Sequence, residues 1–173
     1  MIEIRPERPQ DCAGSDAVER AAFPSEGEAR LVTQLRGAPG VTSWVACDGE
    51  QVVGHVLYTP LRWEADPDTV VPPGPLIALG PMAVLPDRQG RGIGTRLIEA
   101  SLSAGRENGW SAAIVLGHPG YYPRFGFRPA VEYSVRSTYS VPPEVFMAQE
   151  LIPGTFRGAA GVVHYDPAFD ELE

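Results

Sequence analysis

The sequence is poor in the residues that build disulfide scaffolds, metal centres and nucleic-acid surfaces. Its 173 residues include 2 cysteines and 3 histidines, and 22 acidic residues outnumber 14 basic ones, for a net charge of −8. Two cysteines cannot form a disulfide framework, and with the scattered histidines they lack metal-ligand spacing. Nucleic-acid-binding domains carry a basic surplus to meet phosphates. We therefore predict reduced thiols in the cytoplasm, no metal and no nucleic-acid partner.

Long apolar runs are missing as well. No apolar stretch approaches the ~18 residues of a membrane-spanning helix, and the first residues lack a charged-then-apolar leader. We therefore predict a soluble protein without a membrane partner. Turn formers are abundant, with 18 prolines and 19 glycines, and they predict many short elements. The length suits one domain, residues 1–173, around a single core.

The apolar pattern predicts an α/β chain. Apolar residues at helical spacing predict helices, and alternating or continuous apolar runs predict strands. The predicted helices cover 9–23, 25–36, 93–107 and, briefly, 121–125; the predicted strands cover 2–4, 41–47, 52–61, 76–84, 112–116, 133–140 and 162–165. The Pro- and Asp-rich segment 64–75 is predicted as a loop.

A glycine-rich turn follows predicted strand 76–84 and precedes an amphipathic helix. The first turn of a helix has unpaired N–H groups and the positive end of the macrodipole, so it suits an anion. Arg88, Arg91 and Arg96 add positive charge at this place. The alternative, on spacing alone, is that the glycines only make a tight strand-to-helix connection.

Two better-known phosphate loops do not fit this turn. A P-loop needs a Lys and then Ser or Thr after its last glycine, whereas Gly94 is followed by Thr95 and Arg96. A Rossmann turn needs a third glycine, but position 95 is Thr. It also needs an acidic residue about 20 residues later, and the nearest, Glu107, lies at the end of the predicted helix.

Two motifs together resemble one known family. The pattern Gln-x-x-Gly-x-Gly, from Gln89 through Gly92 to Gly94, resembles the pyrophosphate-binding loop of the Gcn5-related N-acetyltransferases (GNAT). Segment 116–127 resembles the same family's next strand, followed by a tyrosine four residues before a Gly-Phe pair, here Tyr122. The resemblance is closest to the YhbS-like subgroup of these acetyltransferases.

The resemblance implies both a fold and an activity. The fold is the GNAT, or acyl-CoA N-acyltransferase, fold: an α/β domain with a mixed, mostly antiparallel sheet of six or seven strands and helices on both faces. Residues 2–130 would form its core, and residues 131–173 would add strands that complete the sheet and the acceptor site. The implied activity is transfer of an acetyl group from acetyl-CoA to a primary amine by direct attack in a ternary complex, without a metal.

The resemblance also assigns residues to the cofactor. Gly80-Pro81 would mark the family's bulge in the central strand, and a freed N–H near Met82 or Ala83 would bind the thioester oxyanion. We expect the cofactor to contact Met82, Ala83, Val84, Gln89, Gly90, Arg91, Gly92, Ile93, Gly94, Thr95, Tyr122 and Phe125.

Tyr122 is the candidate general acid in this scheme. The leaving thiolate must take a proton, and a thiol pKa near 8.5 and a phenol pKa near 10 make the transfer energetically modest. Tyr121 is the rival if the motif is shifted by one residue. The alternative from the residues alone is that Tyr122 only packs in an aromatic cluster.

The general base and the acceptor stay open at this point. Glu28, His118, Glu150 or a chain of water molecules would serve as base. The acceptor would be a small-molecule or peptide amine, and a homodimer, the acyl-chain preference and acylation of a protein lysine or N-terminus are also open. A non-catalytic module that binds acyl-CoA is the alternative of another class.

Overall fold

The computed structural model describes residues 1–172. Within these residues, three α-helices and ten strands follow one another. The helices are α1 (Cys12–Ala22), α2 (Gly27–Leu35) and α3 (Ile93–Glu107). The strands are β1 (Ile2–Pro6), β2 (Thr42–Asp48), β3 (Gln51–Pro60), β4 (Arg62–Ala65), β5 (Leu76–Val84), β6 (Ala112–Leu116), β7 (Arg128–Pro129), β8 (Val135–Ser137), β9 (Phe146–Glu150) and β10 (Gly161–His164).

The main sheet is mixed and has seven strands in the order β1-β2-β3-β5-β6-β9-β7. Four pairs of neighbouring strands are antiparallel: β1–β2, β2–β3, β6–β9 and β7–β9. The pair β5–β6 is parallel. This confirms the predicted mixed, mostly antiparallel sheet. A second sheet of three strands, in the order β4-β10-β8, was not predicted.

The chain divides into two compact units. The first consists of residues 1–59, 80–103 and the segment from Pro167 onward; the second consists of residues 60–79 and 104–166. Boundaries fall inside β5 and inside α3, and a third separates Pro60 from the rest of β3, so each of these elements contributes residues to both units. The single domain predicted for residues 1–173 stays a prediction.

In the first unit, helices cover both faces of β3. A Cβ built at Gly54 would lie 3.5 Å from side-chain atoms of Ile93 and of Leu97, so this position faces α3. The next residue, His55, contacts Glu19 of α1. Because successive side chains of a strand point to opposite faces, α1 and α3 lie on opposite faces of β3, as predicted.

In the second unit, β5 and β6 form the parallel pair of the sheet. Their register runs from Leu76↔Ala112 to Leu79↔Val115 and ends there, one residue before Gly80. Gly80 has φ +128 and is joined to Pro81 by a cis peptide bond. The residues of β5 after Gly80 therefore take no part in this ladder.

Several local predictions were wrong in detail. Segment 133–140 holds only the three-residue strand β8, because Ala130–Tyr133 forms a 3-10 turn that ends at Ser134 in the left-handed region. Helix α2 begins at Gly27, later than predicted: its N-cap is Glu26, and Ser25 Oγ accepts a bond from Gly27 N–H at 3.3 Å. Strands β4, β7 and β9 were not predicted.

Candidate active site

The glycine-rich turn leads directly into α3. Gly90 and Gly92 have φ +77 and +81, a region that residues with a Cβ enter only at a cost. The first helical hydrogen bond runs from Arg96 N–H to the Gly92 carbonyl at 3.1 Å. The N–H groups of residues 93–95 therefore have no carbonyl partner inside the helix. The turn leaves three amides for a ligand at the positive end of the helix.

Ile93 and Gln89 hold this turn in place. The Ile93 side chain is buried, at 5% exposure, in a cluster with Ala46 and Val53. Gln89 is exposed, and its Nε2 donates to the Val84 carbonyl at 2.9 Å, which ties the turn back to the end of β5. The Gln89 side chain thus makes a bond inside the protein that shapes the turn, and its contact with the cofactor stays a prediction.

Of the three arginines predicted to add charge, two are engaged by the protein. Arg88 donates to Asp48 Oδ2 at 2.8 Å and holds the pKa of that carboxyl below its usual value. Arg96 donates to the Ile2 carbonyl at 3.1 Å. Arg91 is exposed, and within residues 1–172 no hydrogen bond or ion pair holds its guanidinium. Because a carbonyl is neutral, Arg96 keeps its charge, so Arg91 and Arg96 are the two arginines beside the turn without an acidic partner among residues 1–172.

The end of β5 presents alternating faces. Ala83 is buried with Val18 of α1, whereas Val84 packs in the cluster that contains Ile93. Met82 is half-buried and, by the alternation of a strand, lies on the same face as Val84. The three predicted contacts of β5 therefore do not share one face, and a ligand that meets all three would use their backbone.

In the second unit, Tyr122 opens a 3-10 helix, Tyr122–Phe125. It is 9% exposed and lies edge-on to two neighbouring rings, those of Tyr121 and Phe127, with ring centroids 5.2 and 5.9 Å away. Tyr121 is half-buried, and the Arg124 guanidinium lies 4.4 Å from its ring centroid. The half-buried Phe125 completes the cluster, 6.3 Å from Tyr122. The structure thus shows Tyr122 packed in an aromatic cluster, and its role as the general acid stays a prediction.

The Gly-Phe pair has a local explanation. Gly126 ends the 3-10 helix with φ +99, and its N–H donates to the Pro123 carbonyl at 3.0 Å. A Cβ at this position would also lie 2.9 Å from Nε2 of Gln149 on β9. Both the backbone angle and the close approach favour glycine.

The candidate general bases differ in the hydrogen bonds that they make within the protein. The Glu150 carboxylate accepts bonds from the N–H groups of Gly154 and Phe156 at 3.2 and 2.8 Å, so it holds a loop. Glu28 is half-buried and lies 3.5 Å from Ser25 Oγ. His118 is exposed, just beyond the end of β6. Among residues 1–172, no group of three His, Cys, Asp or Glu side chains could hold a metal ion.

The sequence analysis missed a buried polar group on β3. His55 and Glu19 are both 0% exposed, and His55 Nδ1 lies 2.7 Å from Glu19 Oε1. The other ring nitrogen lies 3.3 Å from Ser43 Oγ and 3.6 Å from Glu7 Oε2. Burial raises the pKa of Glu19, and the bond to His55 opposes that rise. A histidine inside the apolar run 52–58 was the available signal.

Comparison with known proteins agrees with this geometry. Residues 12–127, more than half of the chain, match the model of the Acetyltransferase (GNAT) family. The N-acetyltransferase YhbS of Escherichia coli K12 is 32% identical over 171 residues, which cover 98% of this chain and 99% of that protein.

Two solved structures are similar over almost the whole chain. The crystal structure of Escherichia coli YhbS in complex with CoA has a TM-score of 0.89 and 30% identity, covering 99% of this chain and 93% of that one. A GNAT family acetyltransferase from Brucella melitensis in complex with acetyl-CoA has a TM-score of 0.76 and 32% identity, covering 98% and 99%. The chain therefore belongs to the Acetyltransferase (GNAT) family.

Proposed function

We propose that this protein transfers an acetyl group from acetyl-CoA directly to an amine. The observation that carries the proposal is the turn Gln89–Gly92 at the start of α3, with the unpaired amides of residues 93–95. Relatives that cover the whole chain were crystallised with CoA and with acetyl-CoA, which supports the same co-substrate here.

The turn would bind the pyrophosphate of the co-substrate. Three N–H groups would donate hydrogen bonds to its oxygens, and the positive end of the helix dipole favours its negative charge. Arg91 adds a positively charged side chain. Gly90 and Gly92 have open space where a Cβ would stand, so phosphate oxygens can approach the backbone closely. Gln89 fixes the shape of the turn through its bond to Val84.

The thioester would lie along the end of β5. The ladder between β5 and β6 ends at Leu79↔Val115, so the N–H groups that follow Gly80 are not used in it. We assign the oxyanion contact to Met82 or Ala83, because a backbone N–H there would stabilise the charge that develops on the carbonyl oxygen.

Tyr122 would protonate the leaving thiolate. A phenol and a thiol differ by about 1.5 in their ordinary pKa values, which permits proton transfer in either direction. Tyr122 is more buried than Tyr121, since it is 9% exposed and contacts the rings of Tyr121 and Phe127. Tyr121 is half-buried and stacked by Arg124. We therefore keep Tyr122 as the acid and Tyr121 as the rival.

The proton of the attacking amine would leave through His118 or water. Glu150 is the weakest candidate because both of its oxygens hold backbone amides. The acceptor is a small-molecule or peptide amine, and the acyl chain is acetyl.

We also propose a cytoplasmic location, in keeping with the two free thiols. Measurement of the molar mass in solution would test whether the protein forms a homodimer. No helix within residues 1–172 has the length and hydropathy to cross a membrane.

The first test is release of free thiol from acetyl-CoA in the presence of amines. The panel contains a polyamine, free amino acids, an aminoglycoside and a peptide with one lysine and a free N-terminus. We expect at least one of them to release thiol and to gain an acetyl group detectable by mass. Tight binding of acetyl-CoA without turnover on any amine would instead favour a non-catalytic acyl-CoA-binding module.

The Tyr122→Phe variant tests the assigned acid. We expect turnover to fall by about 10²–10⁴-fold, the usual range for loss of a general acid, while the calorimetric affinity for acetyl-CoA stays within about twofold because the ring is retained. Tyr121→Phe is the matched control, since it removes the neighbouring hydroxyl. A larger loss in Tyr121→Phe than in Tyr122→Phe would transfer the role to Tyr121.

A further inference from the structure

Gly117 lies directly against the Tyr122 ring. A Cβ built at Gly117 would lie 2.7 Å from Cδ2 of that ring and closer still to Cε2. Carbon atoms in contact are ordinarily about 3.5–4.0 Å apart. Any side chain at position 117 would therefore force the Tyr122 ring, or the backbone beneath it, to move by about 1 Å.

Hydrogen bonds and ring contacts hold both Gly117 and Tyr122 in place. The Gly117 N–H donates to the Val145 carbonyl at 2.9 Å, which holds the backbone at the end of β6. The Tyr122 N–H donates to the His118 carbonyl at 3.3 Å, so the turn between the two residues is closed. The rings of Tyr121 and Phe127 stand edge-on to Tyr122. The phenol is thus confined by the backbone of Gly117 and by its aromatic neighbours.

Backbone conformation does not explain the glycine. Gly117 is not among the residues with positive φ, unlike Gly126 in the same motif. A positive φ therefore does not exclude alanine here, whereas the space occupied by the Tyr122 ring does. Gly120, in the same turn, also lacks a positive φ and would place a Cβ in open space.

We infer that Gly117 is a positioning residue for Tyr122: its missing side chain sets where the phenol hydroxyl stands. This inference rests on the proposed function of Tyr122 as the acid that protonates the thiolate. A displacement of about 1 Å between a catalytic group and its target can lower the rate about 10²-fold, because proton transfer needs hydrogen-bond distance. Gly117 acts through the tyrosine and need not touch the co-substrate.

A double-mutant cycle tests the inference on the amine that the panel identifies. We expect Gly117→Ala to lower kcat by about 10–100-fold, with the KM for acetyl-CoA within about twofold of the original. In the Tyr122→Phe background the same substitution should cost less than about threefold, because the hydroxyl it would displace is already gone. Gly120→Ala should keep full turnover. Equal losses from Gly117→Ala in both backgrounds would overturn the inference.

Crystal structures keep the two proposals distinguishable. We expect the Tyr122 ring of Gly117→Ala to be displaced by about 1 Å, and that of Gly120→Ala to be unmoved. If Tyr122→Phe retains full turnover, or if no amine is acetylated, the acid role fails, whereas the displaced ring still establishes the steric contact. An unmoved ring in Gly117→Ala would overturn the inference whatever the kinetics show.

Discussion

At the scale of single residues, glycines define the candidate site for different reasons. Gly90, Gly92 and Gly126 have positive φ values, so their backbone angles favour glycine. Gly117 has ordinary angles and is required by the ring beside it. The motif identified the glycine-rich turn that contains Gly90 and Gly92, but it made no prediction of backbone angles. It could not reveal the second kind, since only the folded chain brings Gly117 against Tyr122.

Gly92 allows the phosphate-binding role to be separated from backbone strain. Gly92→Ala and Gly92→Glu pay the same cost of about 1 kcal/mol for a Cβ at positive φ, and both Cβ atoms enter open space. Only the glutamate adds a negative charge beside the proposed pyrophosphate. We expect Gly92→Glu to abolish calorimetric binding of acetyl-CoA, and Gly92→Ala to weaken it by less than about tenfold.

Comparable affinities in the two Gly92 variants would contradict a pyrophosphate at this turn. Circular dichroism of both proteins serves as the control for folding, because loss of α3 would weaken binding without any effect of charge. The comparison depends on a difference between two variants, which removes the shared contribution of strain.

At the scale of elements, α1 is joined to β3 by a buried polar pair. Glu19 and His55 are fully buried and 2.7 Å apart, and within residues 1–172 no group is hydrogen-bonded to the second carboxylate oxygen of Glu19. Removing one member of such a pair leaves the other buried without its partner, whereas replacing both by apolar residues removes the cost of desolvation. The pair thus stabilises α1 only while both members are present.

Substitution of this pair gives a prediction for stability. We expect His55→Phe to lower the free energy of unfolding at pH 7 by about 3–5 kcal/mol. The Glu19→Leu/His55→Phe double variant should recover at least half of that loss, as measured by urea denaturation. A double variant less stable than His55→Phe alone would show that the carboxyl is not the source of the cost.

The same pair fixes the sign of a pH effect. Burial raises the pKa of Glu19 above its usual value, so the folded state favours the protonated carboxyl. Stability from this group is greatest below its unfolded pKa and falls as pH rises through the folded pKa. The deficit of His55→Phe should therefore shrink as pH is lowered from 7, because protonation removes the unpartnered charge.

Local sequence predicted most of the elements of the first unit and fewer of the second. Strand β9 went unpredicted because its five residues, Phe146–Glu150, stand between two proline-containing turns and include a Gln and a Glu. Strand β4 is short, and its partner β10 lies about 100 residues further along the chain, with Arg62 opposite His164. Pairing over such a distance leaves no local pattern. Periodicity succeeds where an element buries one face against its sequence neighbours.

At the scale of the whole molecule, the predicted single domain can be tested by unfolding. Trp44 lies in the first unit, and Trp63 and Trp110 lie in the second. Because β5 and α3 each run through a boundary without a break, we expect both units to unfold in one transition. One variant keeps Trp44 alone, with Phe at 63 and 110, and another keeps Trp110 alone.

In each tryptophan variant, the fluorescence midpoint in urea should coincide with the midpoint from far-UV circular dichroism of the same protein. Comparison within one variant cancels any destabilisation caused by the Phe substitutions. Two separated transitions, with Trp44 and Trp110 each following a different one, would show two independently folding domains.

The family and the sheet were predictable at this scale, whereas the acceptor was not. Two short motifs, around Gln89 and around Tyr122, identified the family that the comparisons confirm, and the seven strands of the main sheet lie within the predicted six or seven. The second sheet depends on pairing between distant parts of the sequence. Neither of the two motifs specifies the acceptor amine.

The interleaving of the two units along the chain limits how such a protein can be altered by gene rearrangement. No contiguous stretch of sequence contains one unit without part of the other, because residues 80–103 of the first interrupt the second. Exchange of either unit with that of another protein would therefore require cuts within β5 and within α3. We expect the coding sequence for this fold to be inherited as a whole, with insertions confined to surface segments such as 66–75.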